Sequence, residues 1–126
     1  MASSELSPDD APRPELRLRM RVTVGDVIAV GPGKIALLEA LDETGSITAA
    51  AKSLDMSYRR AWLLIDELNR ALKEPAVATA AGGAKGGGSA LTETGRALVG
   101  LYRQIEATAL QACKSEIRQL MKLLAS

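Results

Sequence analysis

The sequence predicts a mainly α fold with a small β component. Apolar residues recur at helical spacing in several stretches after residue 33, whereas strict alternation is confined to residues 16–24. A glycine-rich segment, AGGAKGGGSA, lies between two short runs that suit strands. With 126 residues the chain is long enough for one core and too short for two. Phe is absent, Trp occurs once and Tyr twice, so the core must come from Leu, Ile, Val, Ala and Met. Small aliphatic side chains favour helices that cross closely.

Residues 1–15, MASSELSPDDAPRPE, are acidic, Pro-rich and without an apolar core, which suits a flexible tail and no secretory signal. In residues 16–24, Leu16, Leu18, Met20, Val22 and Val24 share one face and Arg17, Arg19, Arg21 and Thr23 the other, the pattern of a half-buried strand. The three arginines suit a solvated sheet face more readily than a phosphate site. Gly25-Asp26 can turn the chain into a second run, residues 27–30, before GPGK halts the alternation and Pro32 offers a first-turn proline.

Ile35, Leu37, Leu38 and Leu41 then mark a helix over residues 33–43, with Gly45 suited to a left-handed C-terminal cap. Ser46 can cap a short helix, residues 47–54, dominated by Ala49, Ala50 and Ala51. Leu54-Asp55-Met56 must turn the chain, because Ser57 offers the next cap, for a helix over residues 57–73 stopped by Pro75. AVATA and residues 89–91 suit a strand pair around the glycine segment. Thr92 caps a long final helix running from residue 93 to about 124. There Leu110, Ile117 and Leu124 fall seven apart with Cys113 and Leu120 between them, a seam for a second helix or for the chain's own core.

A short Ala-rich helix, a tight turn and a longer helix form the helix-turn-helix pattern, in which Ala51 permits close crossing. On the second helix Ala61, Leu64, Ile65, Leu68 and Leu72 gather on one side, with Arg59, Leu63, Asp66 and Arg70 nearly opposite. Arginines near the N-terminal end of such a helix suit major-groove reading, because a guanidinium fork matches guanine O6 and N7. Ser57, Tyr58, Arg59 and Arg60 are the candidate contacts. An ordinary solvated helix shows the same pattern, and Asp66 and Glu67 speak for it. Trp62 suits packing at the core's edge. Two strands and a glycine loop directly after this helix suit a wing whose Lys85 meets the sugar-phosphate backbone, so residues 16–91 read as a winged helix-turn-helix.

Several chemistries are excluded or unsupported. Cys113 is the lone cysteine and His is absent, which removes a disulfide framework, a Cys/His zinc site and Ser-His or Cys-His catalysis. A phosphate-loop motif fails because Gly33-Lys34 is followed by Ile35 and Lys85 by Gly86. The acids are scattered beside Lys or Arg rather than paired as in a glycoside hydrolase. The sequence therefore predicts no enzyme and no cofactor. No run of about 18 apolar residues suits a membrane helix, and the cysteine usage suits a reducing cytoplasm. A net charge of +1 leaves only local clustering to argue for nucleic acid.

GPGKIALLEALDETGSITAAAKSLDMSYRRAW, the following IDELN, and GGAKGGGSALTETG resemble the N-terminal DNA-binding region of the ModE family of molybdate-responsive transcriptional regulators. The likeness covers about residues 16–110. GSITAAAKSLDMS is also similar to LysR-type regulators, but the run Tyr58-Arg59-Arg60-Ala61-Trp62 and the glycine wing favour the ModE likeness. The resemblance implies a homodimer joined through the strand region and the long last helix, residues 92–126, with two recognition helices in successive major grooves of a pseudo-palindromic operator. It places the recognition role on Ser57, Tyr58, Arg59 and Arg60, with Lys52 near a phosphate and Lys85 in the wing. Family members continue into a molybdate-binding region, so molybdate sensing, if any, is expected to lie outside this chain, and an effector-free DNA binder is equally allowed. The resulting expectation is a repressor of molybdate-transport or molybdoenzyme genes acting on double-stranded DNA. The alternative is an interaction module that modulates a full-length regulator without binding DNA.

Overall fold

The computed structural model describes residues 12–79 and 88–125. Two antiparallel strands, β1 (Val22–Val24) and β2 (Val27–Val30), precede a helical trio, α1 (Pro32–Thr44), α2 (Ile47–Ser53) and α3 (Tyr58–Ala71). A second antiparallel pair, β3 (Val77–Thr79) and β4 (Ser89–Leu91), leads into α4 (Glu93–Ala112) and α5 (Lys114–Met121). The architecture is the predicted one, mainly helical with two small hairpins.

Local chemistry places the boundaries. Gly25, at φ +61°, begins the two-residue turn between β1 and β2, as a side-chain-free residue can. Pro32 opens α1, whose interior residues Ile35, Leu37, Leu38 and Leu41 are fully buried. Gly45 ends α1 at φ +72° with its N–H donating to Leu41 O. The Ser46 hydroxyl accepts from Ala49 N at 3.1 Å and starts α2. The turn after α2 is a Schellman motif: Met56 N donates to Ala51 O, Asp55 N to Lys52 O, and Asp55 takes the left-handed position at φ +57°. Ala50, Ala51 and Ala61 are buried in the core, and α2 packs on α3 with these small side chains available at the crossing.

Three expectations need correction. Residues 16–21 pair with no strand among the described residues, so the predicted strand over 16–24 shrinks to Val22–Val24. That strand is not half-buried, because Val22 and Val24 are exposed, as is Val27 across the hairpin. No third strand covers them among the described residues. The final helix is interrupted at Cys113 rather than continuous to about 124. No Pro or Gly lies near Cys113 to explain that break.

Tyr102 is the last buried residue of α4, and its hydroxyl donates to Met20 O at 2.9 Å. Arg103, next to it, forks onto Glu39 of α1 at 2.6 and 2.8 Å and reaches Glu106 at 2.7 Å. This fork holds the Glu39 carboxyl below its usual range, because the hydrogen bonds from Arg103 outweigh the cost of partial burial. Further on α4 outruns the core. Leu101, Ile105, Leu110, Leu120 and Leu124 are exposed, so among the described residues the heptad seam is not covered by its own chain.

Candidate nucleic-acid interface

Successive residues lie ~100° apart around a helix, which gives α3 four sides, three of them facing other elements and one left open. Ala61, Ile65 and Leu68 enter the core, and Leu64 and Leu72 pack against it in part. Arg60, Leu64 and Glu67 border an open groove shared with β2 and the start of α1. Asn69 faces the second hairpin, where its Oδ1 accepts from Ala76 N at 2.8 Å and Val77 N at 3.3 Å. Arg59, Leu63, Asp66 and Arg70 are left exposed.

The open face begins with a cationic turn. Ser57 Oγ accepts from Arg60 N at 3.0 Å, satisfying one helix-end donor, and the first turn of α3 contains no acid. The positive end of the helix dipole and two exposed guanidinium groups, on different sides of the helix, therefore belong to the same turn. The acids that argued for a plain solvated helix are occupied: Asp66 pairs with Arg70 at 3.0 Å and Glu67 with Lys34 at 3.1 Å. Neither Arg59 nor Arg60 forms an ion pair among the described residues.

Each predicted contact residue can now be placed. Tyr58 and Arg59 project from the exposed start of α3, and Tyr58 meets Trp62 edge-on, with ring centroids 6.3 Å apart. Trp62 is partly buried against the core. Arg60 lies on the flank toward the first hairpin rather than beside Arg59, because one residue along a helix turns the side chain by ~100°. Lys52 is exposed in the last turn of α2. Lys85 lies outside the described residues.

The hairpin β3–β4 is held at its base from both sides. Asn69 supplies one clamp, and Thr92 supplies the other by donating its backbone N–H to Ala76 O at 2.9 Å and its hydroxyl to Pro75 O at 2.6 Å. Gly95 lets α4 begin against the same strand, since a Cβ there would collide with the carbonyl oxygen of Ala76. The sequence reading missed Asn69, Lys34 and Gly95. Their only signal was membership of quoted motifs, IDELN, GPGK and LTETG, whose spacing says nothing about partners.

A short helix, a fixed turn, a second helix with an open cationic start and a clamped hairpin beside it define a winged helix-turn-helix DNA-binding chain. The sequence profile described as bacterial regulatory helix-turn-helix protein, lysR family, matches residues 33–96, about half the chain, and the chain belongs to that family. It is also similar to the molybdenum transport protein ModE of Azotobacter vinelandii, with 43% identity over 90 residues, 71% of this chain and 33% of that protein. The DNA-binding transcriptional dual regulator ModE of Escherichia coli K12 is 41% identical over 71 residues, 56% of this chain and 27% of that protein. The molybdenum-pterin-binding protein MopB of Rhodobacter capsulatus is 44% identical over 78 residues, 62% of this chain and 29% of that protein. The chain thus spans about a third of the length of these relatives, and the region it shares with them is a DNA-binding region of ModE type.

Proposed function

We propose that the chain is a sequence-specific transcriptional regulator of ModE type that represses by occupying a pseudo-palindromic operator as a homodimer. The capped, cationic and unpaired first turn of α3 carries this reading: it offers Arg59 for bidentate base contact and the helix end for a phosphate. Lys52 and, in the wing, Lys85 are assigned to backbone phosphates. Two uncovered apolar surfaces support the homodimer, Val22, Val24 and Val27 on the first hairpin and Leu101, Ile105 and Leu110 on α4. The molybdenum-related names of the relatives support molybdate transport and molybdoenzyme genes as the regulated set. The residues described are assigned to DNA and to the dimer, none to molybdate or to catalysis, and the site of action is the cytoplasm.

The test is selection of duplexes from a random-sequence pool by the purified chain, followed by anisotropy titration and sedimentation. A palindromic consensus, two chains per duplex and affinity falling steeply between about 50 and 200 mM salt are expected. Added molybdate should leave the affinity unchanged. Failure to bind DNA at low salt overturns the reading in favour of a protein-interaction module.

A further inference from the structure

We propose that Arg19 and Arg21, with Arg60, form a second phosphate-binding strip that grips the DNA backbone on the side of α3 opposite the wing. This rests on the DNA-binding reading above and extends it to residues outside the helix-turn-helix. The three arginines border one open groove of about 570 Å³ between the residues preceding β1, the start of α1 and the flank of α3. Two acids also border it, Asp26 and Glu67. Glu67 is neutralised from within: Lys34 is buried, sits 3.1 Å from the Glu67 carboxylate and donates to Ile28 O at 2.6 Å. Three exposed guanidinium groups then stand against Asp26, and none of the three forms an ion pair among the described residues. Arg17, by contrast, pairs with Glu15 at 3.0 Å and does not border the groove.

The strip is held in place. Met20, between the two arginines, has its carbonyl fixed by the Tyr102 hydroxyl of α4, so both side chains leave from an anchored backbone. The stem of Arg21 lies over Gly31, where an added Cβ would sit 3.5 Å from Arg21 Cγ. Gly31 starts α1, whose first turn has no side-chain cap, and a Cβ on Gly33 would meet nothing within 4 Å. The start of α1 therefore borders the groove through Gly33 with no side chain over it and with its helix-end N–H groups uncapped. With the open face of α3 in the major groove, the second hairpin lies on one flank and this cationic strip on the other, against the strand that borders it. An extended phosphodiester backbone fits an open groove of exposed arginines better than a small enclosed anion does.

The experiment compares the wild-type chain with Arg19→Ala/Arg21→Ala, Arg19→Lys/Arg21→Lys and Arg17→Ala on a pool-selected duplex and on a random-sequence duplex. The double alanine variant should lose affinity for both duplexes alike, and its log K against log salt plot should be shallower by roughly 1.8 per protomer, about 0.9 for each phosphate left without its arginine. The double lysine variant should keep the wild-type slope, since a point charge serves a phosphate, and Arg17→Ala should match wild type. Melting temperature should not change, because both arginines are exposed. Wild-type affinity and slope in the double alanine variant would overturn the strip while leaving the DNA-binding reading intact. A loss on the selected duplex alone would overturn it as a backbone contact. A wild-type chain that binds neither duplex would end both readings.

Discussion

Lys34 Nζ lies 3.1 Å from Glu67 Oε1 while donating to the carbonyl of Ile28 at 2.6 Å. One buried ammonium thereby joins α1, α3 and β2, and ties the first hairpin to α3. Lys34→Met keeps most of the buried stem but leaves the Ile28 carbonyl without its donor, and should cost about 1–3 kcal/mol in chemical denaturation. It also frees Glu67 beside Arg60, so affinity for any duplex should fall by more than the fraction unfolded accounts for. Unchanged stability would show that the bond to Ile28 is replaced by solvent.

Arg59 and Ser57 separate reading from folding. Arg59→Ala should cost about 1–3 kcal/mol on a selected duplex and much less on a random one, with no change in melting temperature, because its side chain is exposed. Ser57→Ala removes the cap on Arg60 N and should cost about 0.5–2 kcal/mol of stability instead. Equal losses by Arg59→Ala on both duplexes would assign it to phosphate rather than base.

Two glycines of α4 should respond in opposite directions. Gly95→Ala forces α4 away from Ala76 and should destabilise by about 1–3 kcal/mol, since the obstacle is backbone and cannot rotate aside. At Gly100 a Cβ meets nothing within 4 Å, so Gly100→Ala should stabilise by roughly 0.5–1 kcal/mol through helix propensity alone. Thermal unfolding of the two variants checks both signs.

The Glu39–Arg103 fork predicts an acid-dependent loss of stability. The Glu39 carboxyl is held below its ordinary value of 4.5, chiefly by the hydrogen bonds from Arg103. Its folded-state pKa is thus depressed, so its contribution is fully present above the unfolded value and disappears as pH falls through the lower folded value. Glu39→Gln should therefore be less stable than wild type at pH 7, with the difference shrinking below about pH 4.5. A difference that stays constant to pH 2 would mean that the carboxylate charge contributes nothing.

Most of the fold was legible in the sequence because its signals are short-range. Ser46, Ser57 and Thr92 each cap the helix that follows, and Gly25 and Gly45 take the positive φ that their turns require. The inward face of α3 followed from spacing alone, and Ala61, Ile65 and Leu68 are buried on it. The strand over 16–24 is shorter than its alternation implies, because alternation reports a face, not a partner, and among the described residues no partner strand lies beside residues 16–21.

By itself the sequence determined where helices start and stop, which side of each is apolar, and that a cationic turn opens the helix after the tight turn. Only the tertiary structure decided which charges remain unpaired, on which flank of α3 Arg60 lies, and what clamps the wing. The physical reason is range. Caps, turns and periodicity act within a few residues, whereas Lys34 finds Glu67 across 33 positions and Tyr102 finds Met20 across 82, separations that no local pattern encodes.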